Sequence, residues 1–185
     1  FPLGQYSQTV AEAAMQARAF APNVDAVREI TLRVSRNAIN IMADSPDKWR
    51  PQSHETADHS MPYTAAVALR YGAVNQGHFD DVYLHDQALL DLTSKVNVHV
   101  SEAANRRAPE AMLCKVEVVT TQGQRFASEV AYHKGHYKNP LSDAELEAKY
   151  RSLVSEALPA SQADALLDQL WRLDEAADMG EVLKL

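Results

Sequence analysis

At 185 residues the chain is long enough to bury a sizeable core, as one domain or a small pair. Its formal net charge of −7 argues against general nucleic-acid binding, which needs a basic surface, but leaves room for an anionic small molecule at a local positive site. The single cysteine, Cys114, excludes an internal disulfide and fits a reducing cytoplasm, and neither a membrane-spanning run nor a signal segment is read.

The opening Phe1-Pro2-Leu3-Gly4, with no initiator Met, reads as the interior of something longer. Ser7 to Phe20 is helical, with Val10, Ala13, Ala14 and Ala17 on one face and a stop at Pro22-Asn23. Ala26 to Ser35 changes period: Ile30, Leu32 and Val34 alternate with polar residues, as in a half-buried strand. Asp44 to Ser53 reads as a loop that leads to His54-Glu55-Thr56-Ala57-Asp58-His59-Ser60-Met61-Pro62-Tyr63. An Ala-rich helix follows from about Met61 to Val74, with Ser60 as N-cap, Pro62 in the first turn and Asn75-Gln76-Gly77 as the stop. A short helical turn is predicted at His78 to Val82 and a helix at Gln87 to Ser94.

Lys95 to Ser101 alternates as a strand, and Ala104 to Pro109 reads as a connection. Met112 to Thr120 and Arg125 to Tyr132 are strands joined by the hairpin-like Thr121-Gln122-Gly123-Gln124, and the last three strands are predicted to form an antiparallel meander. Ser142-Asp143-Ala144-Glu145 is a capping box opening a helix with Leu146, Tyr150, Leu153, Val154 and Ala157 inward. Pro159 breaks it, and a last helix runs from Ser161 to about Ala177. The fold class is therefore α+β: a mostly antiparallel four-stranded sheet with helices packed on it, plus C-terminal helices, over residues 1–185.

Two stretches carry candidate chemistry. Asp58, His59, Ser60 and Tyr63 could be a catalytic group or a capped helix start. Asp58 can orient the imidazole, and open amides at the helix N-terminus would suit an anion such as a carboxylate. His133-Lys134-Gly135-His136 could contact a substrate carboxylate or be a solvated loop, and its His pair lacks the clustered acid or thiol that a metal site needs. His78, His85 and His99 read as structural or solvated, and Cys114 as a core residue. No Gly-rich phosphate loop and no nucleophile elbow is present.

Thr56-Ala57-Asp58-His59-Ser60-Met61-Pro62-Tyr63, with Ala66-Val67-Ala68-Leu69 and Gly72, resembles the signature of the MmgE/PrpD family. Phe1-Pro2 with Gln8-Thr9-Val10-Ala11-Glu12-Ala13-Ala14, and Gly135-His136 with Asn139-Pro140-Leu141-Ser142, agree in order and spacing. The resemblance implies the C-terminal lid domain of a two-domain enzyme whose N-terminal all-helical domain is not in this chain. It implies a small di- or tricarboxylate substrate, no cofactor, no metal, and a homodimer in the full-length protein. It carries over Tyr63 and His59 as catalytic; beside it, the residues themselves are read to make Ser60, Asp58, Tyr6 and His136 substrate-binding. Tyr6 stands near where the family places a His, a departure that gives Tyr6 a different role or means a different substrate. The reading is a cytoplasmic hydro-lyase of the 2-methylcitrate dehydratase kind or a related decarboxylase or epimerase, inactive as this chain alone. The alternative is a binding module that keeps the lid fold without catalysis.

Overall fold

The computed structural model describes residues 1–21 and 23–182, so Pro22 of the predicted Pro22-Asn23 stop lies outside the described residues. The order is α1 (Gln8–Phe20), β1 (Val27–Val34), α2 (Arg36–Met42), α3 (His54–Asp58), α4 (Met61–Tyr71), α5 (Asp81–Leu84), α6 (Gln87–Ser94) and β2 (Val96–Val100). It continues through α7 (Glu102–Arg107), β3 (Cys114–Thr120), β4 (Arg125–Val130), α8 (Asp143–Val154), α9 (Ala160–Trp171) and α10 (Met179–Val182). Two units divide the chain, Phe1–Lys134 and the residues from Gly135 on. No helix among the described residues is long and apolar enough to cross a membrane.

In the first unit four strands form one sheet in the order β2-β1-β3-β4. The sheet is mixed, which corrects the mostly antiparallel expectation: β1 and β2 run parallel, with Ile30 opposite Val96 and Val34 opposite Val100. β1–β3 and β3–β4 are antiparallel, so the predicted meander shrinks to the β3–β4 hairpin. The cause lies in the connection. The chain between β1 and β2 passes through α2 to α6, and such a long helical crossover returns the next strand in the same direction. Alternation in β2 encodes which face is buried, not which way the strand points. A bulge between Val27 and Glu29 lets Val27 and Ile30 both face inward.

The core lies between the sheet and two helices. α1 presents Val10, Ala11, Ala13, Ala14 and Ala17, all fully buried, and these small side chains let α4 lie close. α4 is buried from Met61 to Leu69 without a polar stripe, the pattern of a helix enclosed on all sides. Its end is Gly72, at φ +70, rather than the predicted Asn75-Gln76-Gly77. Arg18 of α1 explains the earlier stop: its guanidinium donates to the carbonyls of Leu69 and Arg70, which have lost their helical partners. Helices also lie where none was predicted, α2 and α7 among them. Ser35 caps α2 by accepting from Ala38 N–H at 3.3 Å, and Ser101 caps α7 within the predicted connection by accepting from Ala104 N–H at 3.3 Å.

In the second unit the predicted capping box forms. Glu145 N–H donates to Ser142 Oγ at 3.3 Å, and Ser142 N–H donates to Glu145 Oε2 at 2.8 Å. Tyr150 donates to the Ala163 carbonyl at 3.0 Å and Arg151 pairs with Asp164, joining α8 to α9. The inward set predicted on α8 is corrected here, since Leu146 and Leu153 are 46% and 58% exposed. Periodicity places these residues on one face but does not supply the surface that covers it.

Candidate active site at the α3–α4 junction

Ser53 Oγ caps the one-turn helix α3 by accepting from Thr56 N–H at 3.2 Å, and the chain bends at His59 and Ser60 into α4. Ser60 is fully buried. Its hydroxyl donates to the Lys48 carbonyl and accepts from Tyr63 N–H at 3.1 Å. Pro62 has no N–H, Met61 is fully buried and Tyr63 N–H is taken, so the first turn of α4 offers no open amides to an anion. The expected anion cradle at this helix start is therefore corrected: the cap that forms the helix also closes it.

The open face belongs to the two residues before the cap. His59 Nδ1 lies 2.5 Å from Asp58 Oδ1 and 3.1 Å from the Glu55 carbonyl. Both neighbours accept, so Nδ1 carries the proton in the neutral ring and Nε2 keeps its lone pair. The His59 side chain is 42% exposed and that of Asp58 19%. An imidazole held in this way can take a proton at Nε2 and return it. The N-terminal segment forms one wall. Gly4 N–H donates to the Asp58 carbonyl at 3.2 Å, and a Cβ on Gly4 would stand 3.2 Å from His59 Cδ2 and 2.8 Å from Met42 Cε. A side chain at residue 4 would crowd the ring, so glycine fits there.

Glu55 belongs to the same group and was not singled out in the sequence, although its i, i+4 spacing to His59 on a helix was the available signal. Ligand atoms of Glu55, Asp58 and His59 lie within 4.8 Å of one another, the only such trio among the described residues. Its geometry is that of a protonated Nδ1 shared with carboxylate and carbonyl oxygens, and Glu55 is 84% exposed, so it does not enclose an ion.

Tyr63, four residues after His59, faces the other way. It is fully buried, and its hydroxyl donates to the His78 carbonyl at 2.9 Å. Burial, with the nearby Tyr71, Asp86 and Tyr83, raises its pKa strongly and keeps the phenol protonated. Phe79 packs on its ring at 6.2 Å, and the His54 ring meets Phe79 at 5.4 Å, tilted by 51°. Tyr6 is half-buried against the core beside the N-terminal segment. His136 lies in the second unit, where Nδ1 accepts from Lys138 N–H at 3.1 Å. The structure thus joins Glu55, Asp58 and His59 on the partly exposed side and Ser60, Tyr63 and His78 on the buried side, while His136 belongs to a separate unit.

The fold and this junction define an α+β domain that presents a carboxylate-held imidazole at a capped, buried helix. The chain belongs to the MmgE/PrpD family, whose C-terminal domain is matched over residues 1–174. It is similar to human cis-aconitate decarboxylase, 25% identical over 185 residues that cover 96% of this chain and 37% of the relative. It is also similar to 2-methylcitrate dehydratase from Salmonella typhimurium, 27% identical over 91% of this chain and 36% of the relative. The same enzyme from Escherichia coli K12 is 26% identical over the same shares. The chain spans about a third of the length of the curated relatives it matches.

Proposed function

We propose that this chain supplies part of the active site of a cofactor-independent cytoplasmic lyase acting on a small di- or tricarboxylate. The reaction is removal of a proton alpha to a carboxylate with elimination of water, as in a 2-methylcitrate dehydratase. The observation that carries this reading is the His59 ring, partly exposed and held at Nδ1 by Asp58. His59 moves a proton at Nε2 and Asp58 orients it. Tyr63, kept protonated by burial, acts as a donor and not as a base. Ser60 sets the helix start that fixes His59 and Tyr63 relative to one another. Tyr6, near where the family places a His, and His136, in its basic loop, remain proposed carboxylate contacts. The remaining catalytic groups come from an all-helical domain of the kind the longer relatives have room for.

The test is turnover. The purified chain alone is expected to turn over neither 2-methylcitrate nor cis-aconitate. In a polypeptide of the relatives' length, His59→Gln is expected to lower turnover by about 10²–10⁴-fold, the usual worth of a positioned acid–base group. Turnover by the chain alone, or an unchanged rate in His59→Gln, overturns the reading. A second reading, a non-catalytic binding module, is favoured by the closed state of Ser60 and Tyr63, whose hydroxyls are already paired inside the fold. It requires carboxylate binding without turnover in the longer polypeptide.

A further inference from the structure

Behind Tyr63 lies a histidine that the proposed chemistry does not use. His78 is 6% exposed and sits in a single 3₁₀ turn, Gln76–Phe79. Its Nδ1 accepts from Asn75 N–H at 3.1 Å, and its own N–H donates to the Asn75 carbonyl at 3.2 Å. The two residues form a capping box in which an imidazole stands where Glu or Gln is usual. The same residue's carbonyl is the acceptor for the Tyr63 hydroxyl, at 2.9 Å. One short turn therefore joins the imidazole to the phenol.

The surroundings fix the ring. Tyr71 of α4 stacks on it at 4.9 Å with an interplanar angle of 19°, and Tyr83 of α5 meets it edge-on at 5.1 Å. The Tyr71 hydroxyl donates to Asp86 Oδ2 at 3.1 Å, and Arg70 lies 3.9 Å from the same oxygen. Asp80 flanks the turn, with Oδ2 3.8 Å from the position of a Cβ on Gly77, and the His54 ring lies 5.4 Å from that of Phe79. The charged Asp86 and Arg70 thus form a pair beside the tyrosine that stacks on His78. Burial lowers the His78 pKa below its ordinary value, so the neutral ring is the resident form. In that form the proton is on Nε2 and Nδ1 is an acceptor.

We infer that His78 is a proton-responsive positioning residue for Tyr63: the neutral imidazole closes the 75–79 turn and holds its carbonyl on the phenol, and protonation at Nδ1 opens it. Adding a proton to Nδ1 sets two N–H donors, His78 and Asn75, against each other in a site that water barely reaches, and the Asn75 N–H···Nδ1 bond breaks. The turn loosens and the Tyr63 hydroxyl loses its fixed acceptor. The consequence for catalysis rests on the proposed role of Tyr63, whereas the latch belongs to the chain itself and is tested without substrate.

The experiment is NMR on this 185-residue chain, following the His78 ring nitrogens, the Asn75 amide and the Tyr63 ring from about pH 7.5 to about pH 5, the span in which histidines titrate. The wild type is expected to show an Nε2–H ring at the upper end. Asn75 protection is expected to fall about tenfold or more, and the Tyr63 signals to move, with one common midpoint below 6.5. His78→Gln restores a capping-box acceptor that does not titrate, so the Tyr63 signals are expected to stay near their pH 7.5 positions throughout. His78→Ala removes the acceptor, and Tyr63 is expected to show the loosened state at every pH. An Nδ1–H ring, a Tyr63 response with a different midpoint, or an unchanged response in His78→Gln overturns the latch. If either variant fails to fold, the wild-type tautomer and common midpoint decide alone. Loss of the latch leaves the His59 reading standing, and loss of the His59 reading leaves the latch standing.

Discussion

His59 and Tyr63 are four residues apart and occupy opposite environments. His59 keeps a partly exposed ring with Nδ1 held by Asp58. Tyr63 has no exposed surface and its hydroxyl is bonded to a main-chain carbonyl. The bend at Ser60 separates them, because the residues before it lie on a one-turn helix at the surface and those after it enter a helix enclosed by α1 and α6. Substitutions on the closed side should register in stability, and at Tyr63 in turnover as well through its proposed donor role. Those on the open side should register in chemistry and leave the fold nearly untouched.

The largest stability effect is expected from Phe79→Ala. It empties a fully buried site against Tyr63 and His54 and should cost about 3–5 kcal/mol in chemical denaturation. Tyr63→Phe leaves the His78 carbonyl without its buried donor and should cost about 1–2 kcal/mol by the same measurement. Ser60→Ala removes the cap of α4 and a bond to Lys48, with an expected loss of about 1 kcal/mol. Glu55→Ala, on the open side, should stay within about 0.5 kcal/mol. A Glu55 effect as large as that of Phe79 would erase the distinction between the two sides.

Acid should also separate the two regions. His78 has a folded pKa below its unfolded value, so the unfolded chain binds the proton more readily. Its contribution to stability is therefore complete above about pH 6.5, the unfolded value, and is lost as the pH falls toward the folded pKa. The slope of unfolding free energy against pH in that window should flatten in His78→Gln. An unchanged slope would place the titrating group elsewhere.

Much of this arrangement was legible from residue types and spacing. Ser60 before Met61-Pro62 announced the start of α4, Ser142 with Glu145 announced α8, and the turn at Gly123 announced the β3–β4 hairpin. The parallel placement of β2 was not legible, because alternation records a face and carries no direction. The end of α4 was misplaced because Arg18, distant in sequence, satisfies its last carbonyls and lets the chain stop at Gly72. The exposure of Leu146 and Leu153 was hidden for a related reason: an amphipathic pattern does not name its cover. At the site, Asp58 and His59 were visible as neighbours, whereas the closure of Ser60 and Tyr63 depends on Lys48 and His78 from other segments. Asn75 with His78 was a capping box in disguise, with imidazole in place of a carboxylate or amide.

The central claim is that Asp58 fixes His59 with its proton on Nδ1 and its lone pair on Nε2. Nitrogen NMR of the His59 ring in the neutral chain tests it directly. The account predicts an Nδ1–H ring in the wild type and a shift toward the common Nε2–H form in Asp58→Ala, where one of the two acceptors is gone. An Nε2–H ring in the wild type, indifferent to Asp58, would contradict it.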